Sequence, residues 1–154
     1  MLAKLNPMPV RAGSVFLSLA LASFLAWIGI AQPSGNAEEI KKIQFAPGAS
    51  SAQVRGAVVR GERALYSIEA REGQHMSVHI VSTEKNAVVQ AYVPGAKQEV
   101  RDSVLHISGN TLPGAGEGDD AARWSGRLPT SGVYVLAVGS TRGNATYRLN
   151  VTIH

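Results

Sequence analysis

Cysteine is absent from the 154-residue sequence, and no segment shows a convincing helical period. Without cysteine the chain can form neither a disulfide nor a lipoprotein anchor, so a folded domain must depend on its buried core. The basic side chains also form no continuous stripe, because arginines and glutamates alternate, as in residues 60–63. Nucleic-acid-binding domains usually carry such a stripe. The sequence therefore predicts no nucleic-acid partner.

An export signal is indicated at the N-terminus. Lys4 and Arg11 precede an uncharged, apolar stretch at residues 13–31, which is the arrangement of a signal peptide. Small residues offer two cleavage positions, and we favour the one that removes residues 1–37 and leaves residues 38–154 as the mature chain. The apolar stretch is also about as long as the roughly 20 residues that span a bilayer. An uncleaved inner-membrane anchor facing the periplasm is the alternative to a periplasmic or secreted protein, and it is the only membrane contact expected.

Apolar and polar residues alternate through most of the mature chain, and this period of two predicts strands. In residues 147–153 the odd-numbered side chains would face a core and the even-numbered ones water. About eight short runs of this kind, separated by turns, predict an all-β fold, a single antiparallel β-sandwich. Residues 110–122 are rich in glycine and acidic side chains. They are predicted to form a mobile surface loop that contributes nothing to the core.

Candidate metal ligands are present but badly spaced. His75 and His79 would stand about 13 Å apart on a strand, which is too far to share one zinc ion. Glu117, Asp119 and Asp120 lack the ordered spacing of a calcium-binding loop. We therefore predict no metal site and no cofactor.

Catalytic machinery is not indicated either. No serine lies in the strand-to-helix elbow of a hydrolase, and the acidic residues fall mainly in turns and in the segment 110–122. A catalytic group needs rigid support. The sequence predicts a protein without catalytic residues, which is not an enzyme.

Arg142 is the candidate functional residue. It lies within Thr141-Arg142-Gly143-Asn144, which links the last two predicted strands. Loops held by a rigid scaffold commonly carry binding surfaces, and a guanidinium there could bind a carboxylate through two charge-assisted hydrogen bonds. We predict that Arg142, Thr141, Gly143 and Asn144 form a partner-binding site. The alternative is an ordinary solubilising residue in a hairpin.

Three segments, in order along nearly all of the mature chain, resemble the periplasmic inhibitors of g-type lysozyme and the wider group of bacterial pre-peptidase C-terminal-like β-sandwiches. They are Phe45–Ala52 (FAPGASSA), Gly56–Gln74 with its Tyr-x-x-x-Ala-x-x-Gly-Gln ending, and Trp124–Tyr134 (WSGRLPTSGVY). Their order and spacing carry the resemblance, since each motif alone is short.

The resemblance implies a protein partner, a g-type lysozyme, whose active-site cleft would be plugged by loops at one end of the sandwich. Thr141-Arg142 resembles the start of the family's Thr-Arg pattern in the link before the last strand. The second arginine of that pattern has no counterpart here, and Glu62 stands where the family tends to carry an aromatic residue. A non-inhibitory envelope module that binds glycan or another protein is the alternative function.

Overall fold

The computed structural model describes residues 39–101 and 104–154. The predicted signal peptide lies outside the described residues, so its cleavage stays a prediction. In the described part of the chain, no helix has the length and hydrophobicity that a membrane span requires.

Ten strands are present within the described residues. Their bounds are β1 Lys41–Lys42, β2 Ser51–Val58, β3 Ala64–Ala70, β4 His75–Ser82, β5 Ala87–Tyr92, β6 Lys97–Arg101, β7 Val104–Ser108, β8 Arg123–Arg127, β9 Gly132–Ser140 and β10 Ala145–Ile153. Sheet A has the order β1-β3-β9-β5, sheet B has the order β2-β10-β4-β8, and β6 and β7 form a separate hairpin. The short β1 runs parallel to β3, whereas the other strand pairs are antiparallel.

The predicted all-β sandwich is confirmed, with ten strands where alternation indicated about eight. Alternation did not reveal β6, because its sequence KQEVR holds a single apolar residue and all five side chains are exposed. It is a strand through its pairing with β7.

The main core lies between the inner faces of the two sheets. In β10 the alternation is realised as predicted, since Tyr147, Leu149, Val151 and Ile153 are buried. The Tyr147 hydroxyl lies 2.7 Å from the Tyr66 hydroxyl of sheet A, so the two buried polar atoms satisfy each other. A Cβ at Gly56 would lie 2.5 Å from the Tyr147 hydroxyl, which explains the glycine at this position of β2.

A second, smaller core covers the outer face of sheet A. Leu65, Tyr92, Val135 and Ala137 are buried there, and Leu105 and Ile107 of β7 pack against them. Sheet A is therefore covered on both faces, by sheet B and by the β6–β7 hairpin. Strands buried on both faces read as continuous apolar runs rather than as alternation, as β5 and the centre of β9 do.

The prediction that residues 110–122 contribute nothing to the core is wrong. Leu112 and Ala115 are buried in the main core with Ala121. The Leu112 backbone N–H donates to the Ala91 carbonyl, and the Ala91 N–H donates to the Ala115 carbonyl. The segment therefore covers the open edge of β5, whose backbone groups would otherwise face solvent unpaired.

Candidate functional site

The link between β9 and β10 crosses one end of the sandwich. It leads from β9, inside sheet A, to β10, inside sheet B, and all four residues of Thr141–Asn144 are exposed. Because β3 and β5 flank β9 while β2 and β4 flank β10, the β2–β3 and β4–β5 connections must cross the same end on either side of this link. We call residues 59–63, 83–86 and 141–144 the end turns.

Asn86, in the β4–β5 turn, holds the link from one side. Its side-chain amide donates to the backbone carbonyls of Arg142 and Asn144, and its own carbonyl accepts from the Thr141 N–H at 2.9 Å. Asn86 is only 5% exposed, so its side-chain amide would be costly to leave without a hydrogen-bond partner.

Ser82 holds Asn86 in position through its side-chain hydroxyl. The Ser82 hydroxyl oxygen accepts the backbone N–H groups of Asn86 and Ala87, at 2.9 and 3.0 Å. Ser82 and Asn86 are both buried, and the Ser82 hydroxyl also lies 3.4 Å from the Asn86 side-chain oxygen. Sequence reasoning did not identify this pair, because the link carbonyls that Asn86 binds lie 56 and 58 residues further along the chain.

The other predicted site residues fix the shape of the link. The Asn144 side-chain oxygen accepts the Arg60 backbone N–H at 3.1 Å, which ties the link to the β2–β3 turn. Gly143 has φ +56°, a left-handed conformation that glycine adopts at little cost. The Gly143 carbonyl accepts the Ser140 hydroxyl at 2.6 Å. Thr141, Gly143 and Asn144 are therefore held in place, while the Arg142 side chain extends outward.

Basic side chains from all three end turns are exposed at this end. They are Arg60, Lys85 and Arg142, and none has an ion pair within the described part of the chain. Arg63 differs, because its guanidinium donates to Gln90 and lies 3.9 Å from Glu117. Glu84 is also engaged, since its carboxylate accepts the Thr146 backbone N–H at 3.1 Å.

The histidines that suggested a metal site face the outer surface of sheet B. His75 lies opposite Arg127 and His79 opposite Arg123, and the His75 imidazole bonds the Ser125 hydroxyl at 2.8 Å. Asp119 accepts the Gly116 backbone N–H at 2.7 Å and so shapes its own loop. Among residues 39–101 and 104–154 no group of histidine and carboxylate side chains is arranged to hold a metal ion.

A cleft of about 680 Å³ lies at the opposite end of the sandwich. Its polar side chains include Glu69, Arg71 and Gln74, and Phe45 adds an aromatic wall. Strand order places this cleft away from the end turns, because Ala70 and Gly132 are the far ends of β3 and β9.

These features define an antiparallel β-sandwich that presents anchored, basic turns at one end. Solved structures of this kind include PliG from Aeromonas hydrophila, described as a periplasmic lysozyme inhibitor of g-type lysozyme. It is 29% identical, the match covers 75% of this chain and 96% of that one, and the TM-score is 0.56. The resemblance read from the sequence motifs is confirmed by this similarity.

Two further inhibitors of the same description are similar. PliG from Salmonella Typhimurium is 24% identical, with 73% of this chain and 96% of that one covered and a TM-score of 0.50; at this identity it shows the fold alone. A mutant of the Escherichia coli PliG is 25% identical with the same coverage and a TM-score of 0.48. No family model and no curated protein matches the chain. The Aeromonas hydrophila structure is that of an inhibitor and not of an enzyme.

Proposed function

We propose that this chain is an exported inhibitor of a g-type lysozyme that inserts the link Thr141–Asn144 into the active-site cleft of the enzyme. The observation that carries the proposal is the exposed Arg142 on an anchored link, in a fold that is similar along 96% of the length of the Aeromonas hydrophila inhibitor. The residues before 38 then serve as its signal peptide or its anchor, and the domain works in the periplasm.

The chemistry of the cleft favours a guanidinium. Glycoside hydrolases depend on carboxyl groups beside the scissile bond, and arginine binds a carboxylate through two parallel charge-assisted hydrogen bonds. Arg142 has no ion pair to give up on binding among the residues described. Insertion would neutralise an essential acid and exclude the substrate from the cleft.

Lys85 supplies a further positive charge beside the link. The link itself contains one arginine, where the inhibitor family has two, but Lys85 precedes the residue whose side chain holds the Arg142 carbonyl. Its φ of +54° belongs to the tight β4–β5 turn. We propose that Lys85 contributes to the approach and orientation of an acidic cleft, because charges at the rim of an interface act mainly on the association rate.

The hydrogen bonds that anchor the link lower the free-energy cost of binding a partner. Ordering a flexible loop on binding costs free energy that is subtracted from the contacts it makes. Here Asn86 and Ser140 already hold backbone carbonyls of the link in the unbound protein. The Arg60 backbone N–H also holds the Asn144 side chain. The Arg142 side chain is then the main part that must be ordered when a partner binds.

Arg142→Ala tests this proposal against an Arg71→Ala control, which removes an exposed arginine from the opposite end. Cell-wall lysis by g-type, c-type and i-type lysozymes is followed with increasing amounts of each variant. We expect inhibition of the g-type enzyme by the unchanged protein and a weakening of at least about tenfold in Arg142→Ala, equivalent to about 1.4 kcal/mol. The melting temperature should not change, because the Arg142 side chain supports no other described residue.

Failure to slow any of the three lysozymes at micromolar concentration would contradict the proposal. Retention of the protein on insoluble peptidoglycan, without inhibition, would instead support the alternative of a glycan-binding envelope module. An equal loss of inhibition in Arg71→Ala would contradict the assignment of the link as the inserted element.

A further inference from the structure

The outer face of sheet B contains arginines and no carboxylate. None of its strands β2, β4, β8 and β10 includes an aspartate or a glutamate. Four arginines project from this face and are exposed: Arg55, Arg123, Arg127 and Arg148. We call this surface the arginine face. It differs from the end turns, where acidic and basic side chains are mixed.

Basic side chains stand directly opposite one another on this face. Arg55 lies opposite Arg148, and Arg123 and Arg127 each lie opposite a histidine of β4. Like charges placed opposite each other destabilise a sheet. No ion pair to any of the four arginines is formed within the described residues. Such an arrangement favours an external anion that lies between the cations.

The Arg55–Arg148 pair borders a shallow cleft of about 570 Å³. Thr83 and Thr146 line the same cleft and add hydroxyl groups to the two guanidinium groups. Glu84 lies at the end of this face, but its carboxylate is bonded to the Thr146 backbone and makes no ion pair with either arginine. A phosphate group fits this set of donors, since guanidinium groups bind phosphate through paired hydrogen bonds.

The cations spread over the whole face rather than along one line. Arg55 is on one edge strand of sheet B and Arg127 is on the other, so about 15 Å of sheet separates their strands, at roughly 4.8 Å for each strand spacing. Along the direction of the strands, Arg55 and Arg127 are also about 20 Å apart, at roughly 3.4 Å per residue. A single linear polymer would follow only part of this area, whereas a planar array of anions contacts all of it.

We propose that the arginine face binds the phosphate headgroups of an anionic membrane surface. Binding is electrostatic and does not involve insertion, because Val81 is the one large apolar side chain on this face that is exposed. Each basic residue near an anionic bilayer raises the partition of a protein from water onto the membrane about fivefold. This attraction weakens as the ionic strength rises. The arginine face is formed by the strands of sheet B and not by the link Thr141–Asn144, although Thr83 of the end turns lines the Arg55–Arg148 cleft.

Co-sedimentation with vesicles tests the proposal on the full-length protein. Vesicles of phosphatidylcholine alone are compared with vesicles that contain about 30 mol % phosphatidylglycerol, so that any contribution of the apolar N-terminal segment is measured on both. We expect a higher partition onto the anionic vesicles in low salt and its loss at about 0.5 M salt. The double variant Arg55→Gln/Arg148→Gln should lower the phosphatidylglycerol-dependent partition at least about tenfold.

The matched control is Arg71→Gln/Lys97→Gln, which removes the same charge from exposed positions outside sheet B. It should retain most of the partition, and Arg123→Gln/Arg127→Gln should reproduce the loss through the other edge of the face. Melting temperatures check that every variant is folded. Equal partition onto the two kinds of vesicle, or an equal loss in the control, overturns the proposal. So does binding to a soluble phosphate polymer or an acidic protein without binding to the vesicles.

Discussion

At the scale of single residues, the candidate site depends on a buried amide as much as on an exposed guanidinium. The Asn86 side chain donates to two carbonyls of the β9–β10 link, and its backbone N–H is accepted by the buried Ser82 hydroxyl. Arg142 is the residue that a partner would meet. In the proposed function Arg142 would bind the carboxylate of the partner, and Asn86 holds the backbone that carries Arg142.

Removal of the Asn86 amide should therefore affect both stability and the link. We expect Asn86→Ala to lower the free energy of unfolding by about 1–3 kcal/mol, because the carbonyls of Arg142 and Asn144 lose a donor that is itself buried. Urea denaturation measures this loss, and faster hydrogen exchange of the link amides reports its release.

Asn150→Ala is the control for this substitution. Its side chain accepts a hydrogen bond from Gln53 on the exposed face of sheet B, and surface changes of this kind usually stay within about 0.5 kcal/mol. Equal stability losses in the two variants would contradict the role assigned to Asn86.

At the scale of elements, the segment between β7 and β8 shows how a polar, glycine-rich sequence can become part of a core. Leu112 and Ala115 are almost completely buried, and backbone bonds join the segment to β5 in sheet A and, at Ala122, to Ile80 in sheet B. The segment closes the side of the sandwich between the two sheets. Its glycines form the turns between these attachments, as the left-handed φ angles of Gly114 and Gly118 indicate.

Truncation of the buried leucine tests this role. We expect Leu112→Ala to cost about 2–5 kcal/mol, since it removes a fully buried side chain and leaves a cavity. Val59→Ala, which shortens a side chain that is 52% exposed, should change stability by less than about 0.5 kcal/mol. The two variants are compared by the urea concentration at the midpoint of unfolding, with the same dependence of the free energy of unfolding on urea concentration in both. A Leu112→Ala protein as stable as Val59→Ala would mean that the segment is a surface loop after all.

At the scale of the whole molecule, the three layers bury four tyrosines, which are Tyr66, Tyr92, Tyr134 and Tyr147. Burial raises the pKa of Tyr134, although the Thr130 backbone N–H, which donates to the Tyr134 hydroxyl oxygen, partly opposes this shift. Burial also raises the pKa of Tyr92, beneath the hairpin, while the nearby Arg63 lowers it. In both cases the folded protein holds the phenolic proton more tightly than the unfolded chain does.

Alkaline pH should therefore destabilise the fold. The two protonated tyrosines make their full contribution to the free energy of unfolding below the unfolded tyrosine pKa of about 10. This contribution is lost as the pH rises through the higher pKa values of the folded protein. We expect the urea midpoint to fall above about pH 10, and Tyr92→Phe should show a shallower fall because one of the two groups is gone. An unchanged midpoint at higher pH, or the same slope in Tyr92→Phe, would contradict this account.

The sequence by itself determined the class of fold and the position of the exposed link. The alternation in β10 and the turn at Gly143 before it are local properties of the sequence. A strand with one buried face requires an apolar side chain at every second residue. Local patterns failed where burial came from distant segments, as at Leu112, which packs beneath the edge of β5. They also missed β6, whose polar side chains are all exposed.

Only the tertiary structure decided what surrounds the link and how the arginines are grouped. Asn86 reaches Arg142 because β5 pairs with β9, and Arg55 faces Arg148 because β2 pairs with β10 in one register. Along the chain, acidic and basic residues alternate in the turns and indicate a mixed surface. Strand order and register separate the charges instead, because they depend on packing between remote segments, which no local period of the sequence encodes.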